Sequence, residues 1–207
     1  MRIGIFGGTF DPIHLGHLIL AEHCREQARL DQIWFIPCAQ QPLKERQTTT
    51  TDRQRCEMVE LAIAGCDPFH LSKLELERGG TSYTVDTLEQ IESMQPGIQL
   101  FLLIGDDSLE SFSKWKSPAR ICELAIPLIA NRPGFDSIDL TPLQAFTTPE
   151  RFAEIESYRI ASPMIEISST NLRDRVAQGK SIRYLVPRAV EKYIETQKLY
   201  SAEQKNP

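Results

Sequence analysis

Leu100, Phe101, Leu102, Leu103 and Ile104 form an unbroken apolar run, set between Pro96-Gly97 and Gly105-Asp106. A run with no polar face suits a strand covered by helices on both sides, the setting of a parallel sheet. Ile3 to Phe6, Ile33 to Pro37, Ile126 to Ala130 and Met164 to Ile167 repeat the pattern, although Pro127 weakens the third of these because proline cannot donate to a ladder. Helical stretches alternate with these runs: Leu18 to Cys24, then Asp52 to Ala64, then a stretch with Leu88 and Ile91 on one face. Asp52 is placed to cap the second helix and Gly65 and Pro68 to stop it, while Phe69 to Leu76 alternates as a strand would. The spacing predicts an α/β fold, a doubly wound and mostly parallel sheet.

With 207 residues and 41% hydrophobic content, the chain can bury one sizeable core. One domain is expected over residues 1–200, helical in its last part from about 169, with a polar tail at 201–207. A net charge of −5 argues against broad binding to nucleic acid or an anionic membrane, which would need a basic face. Neither a signal peptide nor an apolar run long enough to span a bilayer is visible, so a cytoplasmic location is expected. Five scattered cysteines without CxxC spacing read as reduced thiols. Self-association is left open.

In doubly wound sheets ligands lie beyond the carboxyl ends of the strands, which singles out three loops. The first is Gly7-Gly8-Thr9-Phe10-Asp11-Pro12-Ile13-His14-Leu15-Gly16-His17. Its glycines permit close backbone approach, and it feeds a helix whose first amides carry partial positive charge. His14 and His17, three apart, put both imidazoles on one side with Gly16 leaving room between them, so their charge would meet phosphate oxygens. Two structural histidines are the competing reading; a zinc pair lacks further ligands at matching spacing.

The second loop, Ser168-Ser169-Thr170, ends an apolar stretch and begins a helix with Arg173 one turn in. Hydroxyls, amides and a guanidinium would hold phosphate, or the hydroxyls serve only as caps. The third, Gly105-Asp106-Asp107-Ser108, offers carboxylates to ribose hydroxyls, with Trp115 placed either to stack on a base or to fill core.

Taken together, GGTFDPIHLGH at 7–17, TSYTVDTL at 81–88, LIGDDSLESFSKW at 103–115, NRPG at 131–134 and the stretch from Ile167 to Tyr200 resemble the bacterial nicotinate-nucleotide adenylyltransferases. These are members of the HxGH nucleotidyltransferase superfamily, with a Rossmann-like fold. The resemblance implies adenylyl transfer from ATP to nicotinate mononucleotide, giving deamido-NAD and pyrophosphate. It implies that Gly7, Gly8, Thr9, Phe10, His14, His17, Ser168, Ser169, Thr170 and Arg173 hold ATP. Ser82, Tyr83, Thr84, Asp107 and Trp115 would hold the mononucleotide, and His14, His17, Lys44 and Arg173 would carry catalysis. Mg²⁺ would travel mainly on the ATP phosphates. Where the family often has Pro-Pro-His-Lys, this chain reads Gln41-Pro42-Leu43-Lys44, keeping the lysine without the histidine.

The rival readings are transfer to nicotinamide mononucleotide or phosphopantetheine, and a nucleotide sensor without turnover. Tyr83, Asp107 and Trp115 speak against phosphopantetheine. The intact histidine pair and Arg173 speak against the sensor.

Overall fold

The structure, a computed structural model, describes residues 1–42, 48–105, 109–131, 139–158, 160–163 and 165–201. Six strands form one sheet: β1 (Arg2–Gly8), β2 (Gln32–Pro37), β3 (Phe69–Leu71), β4 (Gln99–Ile104), β5 (Ala125–Asn131) and β6 (Ile160–Ala161). Their order is β3-β2-β1-β4-β5-β6, and every pair is parallel. The order reverses between β1 and β4, so the crevice where such sheets take ligands opens beyond the end of β1.

The apolar runs form strands because both their faces are covered: Ile3, Ile5, Ile33, Phe35, Phe101 and Leu102 are all buried. Gly4 is needed for packing, since a Cβ there would stand 2.5 Å from Cδ1 of Ile33. Pro127 is tolerated in β5 because β6 pairs with that strand only at Ala130 and Asn131, leaving the edge open at the proline.

The helices are α1 (Leu15–Gln27), α2 (Asp52–Ile63), α3 (Leu74–Arg78), α4 (Thr84–Met94), α5 (Pro118–Leu124), α6 (Thr141–Gln144), α7 (Pro149–Ser157), α8 (Ser169–Ala177) and α9 (Arg188–Thr196). Leu88 and Ile91 form the fully buried stripe of α4.

Three local expectations are corrected. Thr51, not Asp52, caps α2: its hydroxyl accepts from the amide of Gln54 at 3.3 Å, and Asp52 becomes a first-turn acid, favourable at that end. The strand expected over Phe69 to Leu76 stops at Leu71, and Leu74 opens α3. A helical turn buries Leu74 and Glu75 together, and Thr87 satisfies the Glu75 carboxylate with a 2.7 Å hydrogen bond, an outcome strand alternation does not anticipate. Of the strand expected at Met164 to Ile167, Met164 lies outside the described residues and Ile165 to Ile167 pair with no strand. The sheet ends on Ile160–Ala161 instead, where Gln27 of α1 bonds the Ala161 carbonyl at 2.8 Å and its amide at 2.9 Å.

Candidate active site

Beyond β1 the chain crosses a loop and starts α1 at the sheet's switch point. His14 is the N-cap, with extended backbone, and His17 is the third helical residue. Their rings stack with centroids 3.6 Å apart and planes 24° apart. The amide of His14 donates to Nδ1 of His17 at 3.2 Å, which puts the proton of a neutral His17 ring on Nε2. No acidic residue lies in the first turn of α1, so nothing there offsets the positive end of the helix.

Gly16 makes the stack possible: a Cβ on it would lie 3.1 Å from Nδ1 and 3.2 Å from Cε1 of His14. That Nδ1 is buried and has no hydrogen-bond partner among the described residues. Burial pushes the pKa of His14 down to about 4. With no phosphate beside it, burial thus favours the neutral form of the His14 ring at neutral pH.

The loop before α1 is fixed from several directions. Phe10 adopts a left-handed φ of 50° and is buried, its ring 5.1 Å from that of His17 and 5.6 Å from that of Phe6. Its side chain thus supports the histidine and leaves only its backbone to face a nucleotide. Arg55 of α2, fully buried, donates to the carbonyl of Thr9 at 2.9 Å and that of Cys38 at 2.7 Å, and pairs with Asp52. The carboxylate of Asp11, also buried, accepts from the Thr49 amide, the Thr50 hydroxyl and the Tyr200 hydroxyl, each at 2.7 Å.

The second helix start meets this loop. Ser168 caps α8 by accepting from the Asn171 amide at 3.2 Å, so its capping reading is realised. Ser169 donates its hydroxyl hydrogen to the carbonyl of Pro12 at 2.8 Å. Arg173 donates to the carbonyl of Asp11 at 2.7 Å and to the Thr170 hydroxyl at 3.1 Å. Two helix N-termini without first-turn acids, the histidine pair and the partly exposed Arg173 guanidinium are gathered around Thr9 to His17. Such an arrangement suits anionic phosphate.

On the other side, Ser82 is engaged: its hydroxyl accepts from the Ala39 amide at 2.9 Å and its own amide donates to the Gln40 carbonyl at 2.8 Å. It ties the segment before α4 to the loop after β2. Tyr83 and Thr84 begin α4 with no side-chain cap. Lys116 lies 4.8 Å over the Tyr83 ring and pairs with Asp86 at 2.7 Å, which brings the segment of Trp115 beside the start of α4. Trp115 is half-buried, 5.2 Å from Phe112 at a 41° tilt. Lys44 and Asp107 lie outside the described residues. Asp11, Arg55 and Tyr200 escaped the sequence reading; the one available signal was an aspartate set between apolar Phe10 and Pro12-Ile13.

Among the described residues no cluster of three or more His, Cys, Asp or Glu is placed to hold a metal, and no helix is long and apolar enough to cross a membrane.

The profile of the cytidylyltransferase-like family matches residues 5–175. A Herpetosiphon aurantiacus protein named "Probable nicotinate-nucleotide adenylyltransferase" is 44% identical, over 97% of this chain and 99% of its own length. A Salinibacter ruber protein of the same name is 39% identical, over 97% and 98%. Among solved structures, "Plasmodium falciparum nicotinic acid mononucleotide adenylyltransferase complexed with NaAD" has a TM-score of 0.75 at 20% identity, covering 96% of this chain and 97% of that one, and so shares the fold.

Proposed function

Because this chain belongs to the bacterial nicotinate-nucleotide adenylyltransferases, within the cytidylyltransferase-like family, we propose that it transfers the adenylyl group of ATP to nicotinate mononucleotide, giving deamido-NAD and pyrophosphate. The observation that carries the assignment to the site is the stacked His14–His17 pair at the start of α1, facing the loop that Arg173 and Ser169 grip from α8.

In this reaction a phosphate oxygen of the mononucleotide, already ionised at neutral pH, attacks the α-phosphorus of ATP. The bond from that phosphorus to the bridging oxygen breaks, and pyrophosphate leaves with the electron pair. No general base is required. What the protein supplies is alignment of two anions and donors aimed at charge building on the leaving group. His17, the α1 and α8 termini and Arg173 fill that role, Lys44 adds a cation, and His14 adds an oriented polar ring. Mg²⁺ carried in on the ATP phosphates would supply charge neutralisation there.

Tyr83, Thr84, Asp107 and Trp115 are assigned the acceptor side, Ser82 tying the segment of Tyr83 and Thr84 to the loop after β2. The reading includes a cytoplasmic location.

The test is pyrophosphate release with ATP and Mg²⁺ and, in parallel, nicotinate mononucleotide, nicotinamide mononucleotide and phosphopantetheine. Fast release with the nicotinate form is expected. Release with another acceptor alone discards the acceptor assignment, and silence with all three discards the enzyme reading. His17→Ala is expected to lower turnover at least about 100-fold with the fold intact, as removing a preorganised donor does.

A further inference from the structure

Asp11 stands inside the loop yet turns its carboxylate away from the helix starts. Both oxygens are used: Oδ2 takes the Thr49 amide, and Oδ1 takes the hydroxyls of Thr50 and Tyr200. At 2% exposure the carboxylate has no bulk water in reach, so these three donors are its solvation among the described residues. The main chain of the same residue faces the other way, its carbonyl held by Arg173 at 2.7 Å. Asp11 therefore joins two anchors through one residue, a side-chain anchor on Tyr200 and the α2 approach, and a main-chain anchor on α8.

The Tyr200 hydroxyl is buried as well, 3.8 Å from the sulfur of Met58. Burial and the adjacent Asp11 carboxylate raise its pKa, so it stays protonated and donating. A buried charge that accepts from three fixed donors has one geometry, and the peptide units on either side inherit it. Those units lead directly into Pro12, whose carbonyl Ser169 holds, and into His14.

We infer that Asp11 and Tyr200 are a positioning pair for the ATP side of the site: the Tyr200 hydroxyl, through the Asp11 carboxylate, sets the loop that places His14, His17 and Arg173 on the phosphates. This rests on the reading of that loop as the ATP site. Neither residue is assigned to touch substrate. The nucleotide end moves if they are changed, and the acceptor end, built from α4 and the Trp115 segment, does not.

Tyr193→Phe is the control. Tyr193 also links α9 to α2, through a hydrogen bond to Glu57, but it makes none to Asp11. The experiment measures equilibrium binding of α,β-methylene-ATP, steady-state kinetics and thermal unfolding for the full-length chain and for Tyr200→Phe, Asp11→Asn and Tyr193→Phe.

Tyr200→Phe is expected to weaken the ATP analogue and lower kcat/KM for ATP at least about tenfold, the scale of a loop misplaced by a fraction of an ångström, with KM for nicotinate mononucleotide unchanged. Asp11→Asn, which puts an NH₂ against donors, is expected to do more. Tyr193→Phe is expected to lower the unfolding temperature without moving the ATP terms. Unchanged ATP terms in Tyr200→Phe, or equal loss in Tyr193→Phe, overturns the positioning role alone. A full-length chain that does not bind the analogue removes the functional reading and this inference with it.

Discussion

The Cα of Gly16 faces the His14 ring so closely that a Cβ would approach its Nδ1 to 3.1 Å. Alanine favours helix over glycine by about 1 kcal/mol, so on propensity alone Gly16→Ala stabilises α1. The added methyl would also shift the His14 ring out of its stack with His17. Gly16→Ala is expected to hold or raise the unfolding temperature while turnover falls at least about tenfold, since small displacements of positioned groups are costly. Melting curves and initial rates on one preparation check both.

His14 carries a pH signature of its own. Its pKa in the folded state is about 4, against 6.5 unperturbed, because burial disfavours the charged ring. Between those values the unfolded chain binds a proton that the folded protein does not. This contribution is therefore fully present above pH 6.5 and lost as the pH falls toward 4. From pH 7 to pH 5 the loss is about 2 kcal/mol. Denaturant titrations at the two pH values are expected to give a smaller loss for His14→Gln than for the unaltered chain.

Arg55 and Arg53 lie on the same helix with opposite fates. Arg55 is fully buried on the carbonyls of Thr9 and Cys38, whereas the Arg53 side chain is 81% exposed beside Glu57. Arg55→Met leaves the buried Cys38 carbonyl and the part-buried Thr9 carbonyl without that donor and is expected to cost about 2 to 4 kcal/mol. Arg53→Met is expected to leave stability unchanged by chemical denaturation.

Trp115 packs one side of its indole near Phe112 and is only half-buried. If it stacks on the acceptor, Trp115→Ala raises KM for the mononucleotide about tenfold or more and leaves KM for ATP alone. Equal effects on both substrates would make it a packing residue.

The parts of the fold readable in the sequence are those whose signal is local. The apolar run Leu100 to Ile104 has no face for water and becomes β4, and the three-residue spacing of His14 and His17 puts both rings on one side, where the fold stacks them. Leu74 to Leu76 misleads because so short an alternation cannot tell a strand from a helical turn, and the partner that decides, Thr87, comes from α4. β6 is two residues long and too short to carry a pattern. Asp11, Arg55 and Tyr200 were hidden for a related reason. A buried polar residue is explained by its partners, and theirs are brought near only by the fold.

The bonds that fix the loop of the proposed ATP site span long stretches of sequence: Ser169 reaches back 157 residues to Pro12, Arg173 162 to Asp11, and Tyr200 189 to Asp11. Contacts of such separation close late, since the intervening chain must be ordered before they form. On the ribosome, β1 and its glycine loop emerge first and wait for nearly everything else. A partly synthesised chain can bury much of its sheet while the loop from Thr9 to His17 stays unset, so on the proposed function competence to handle ATP arrives only when α8 and the segment after α9 have docked.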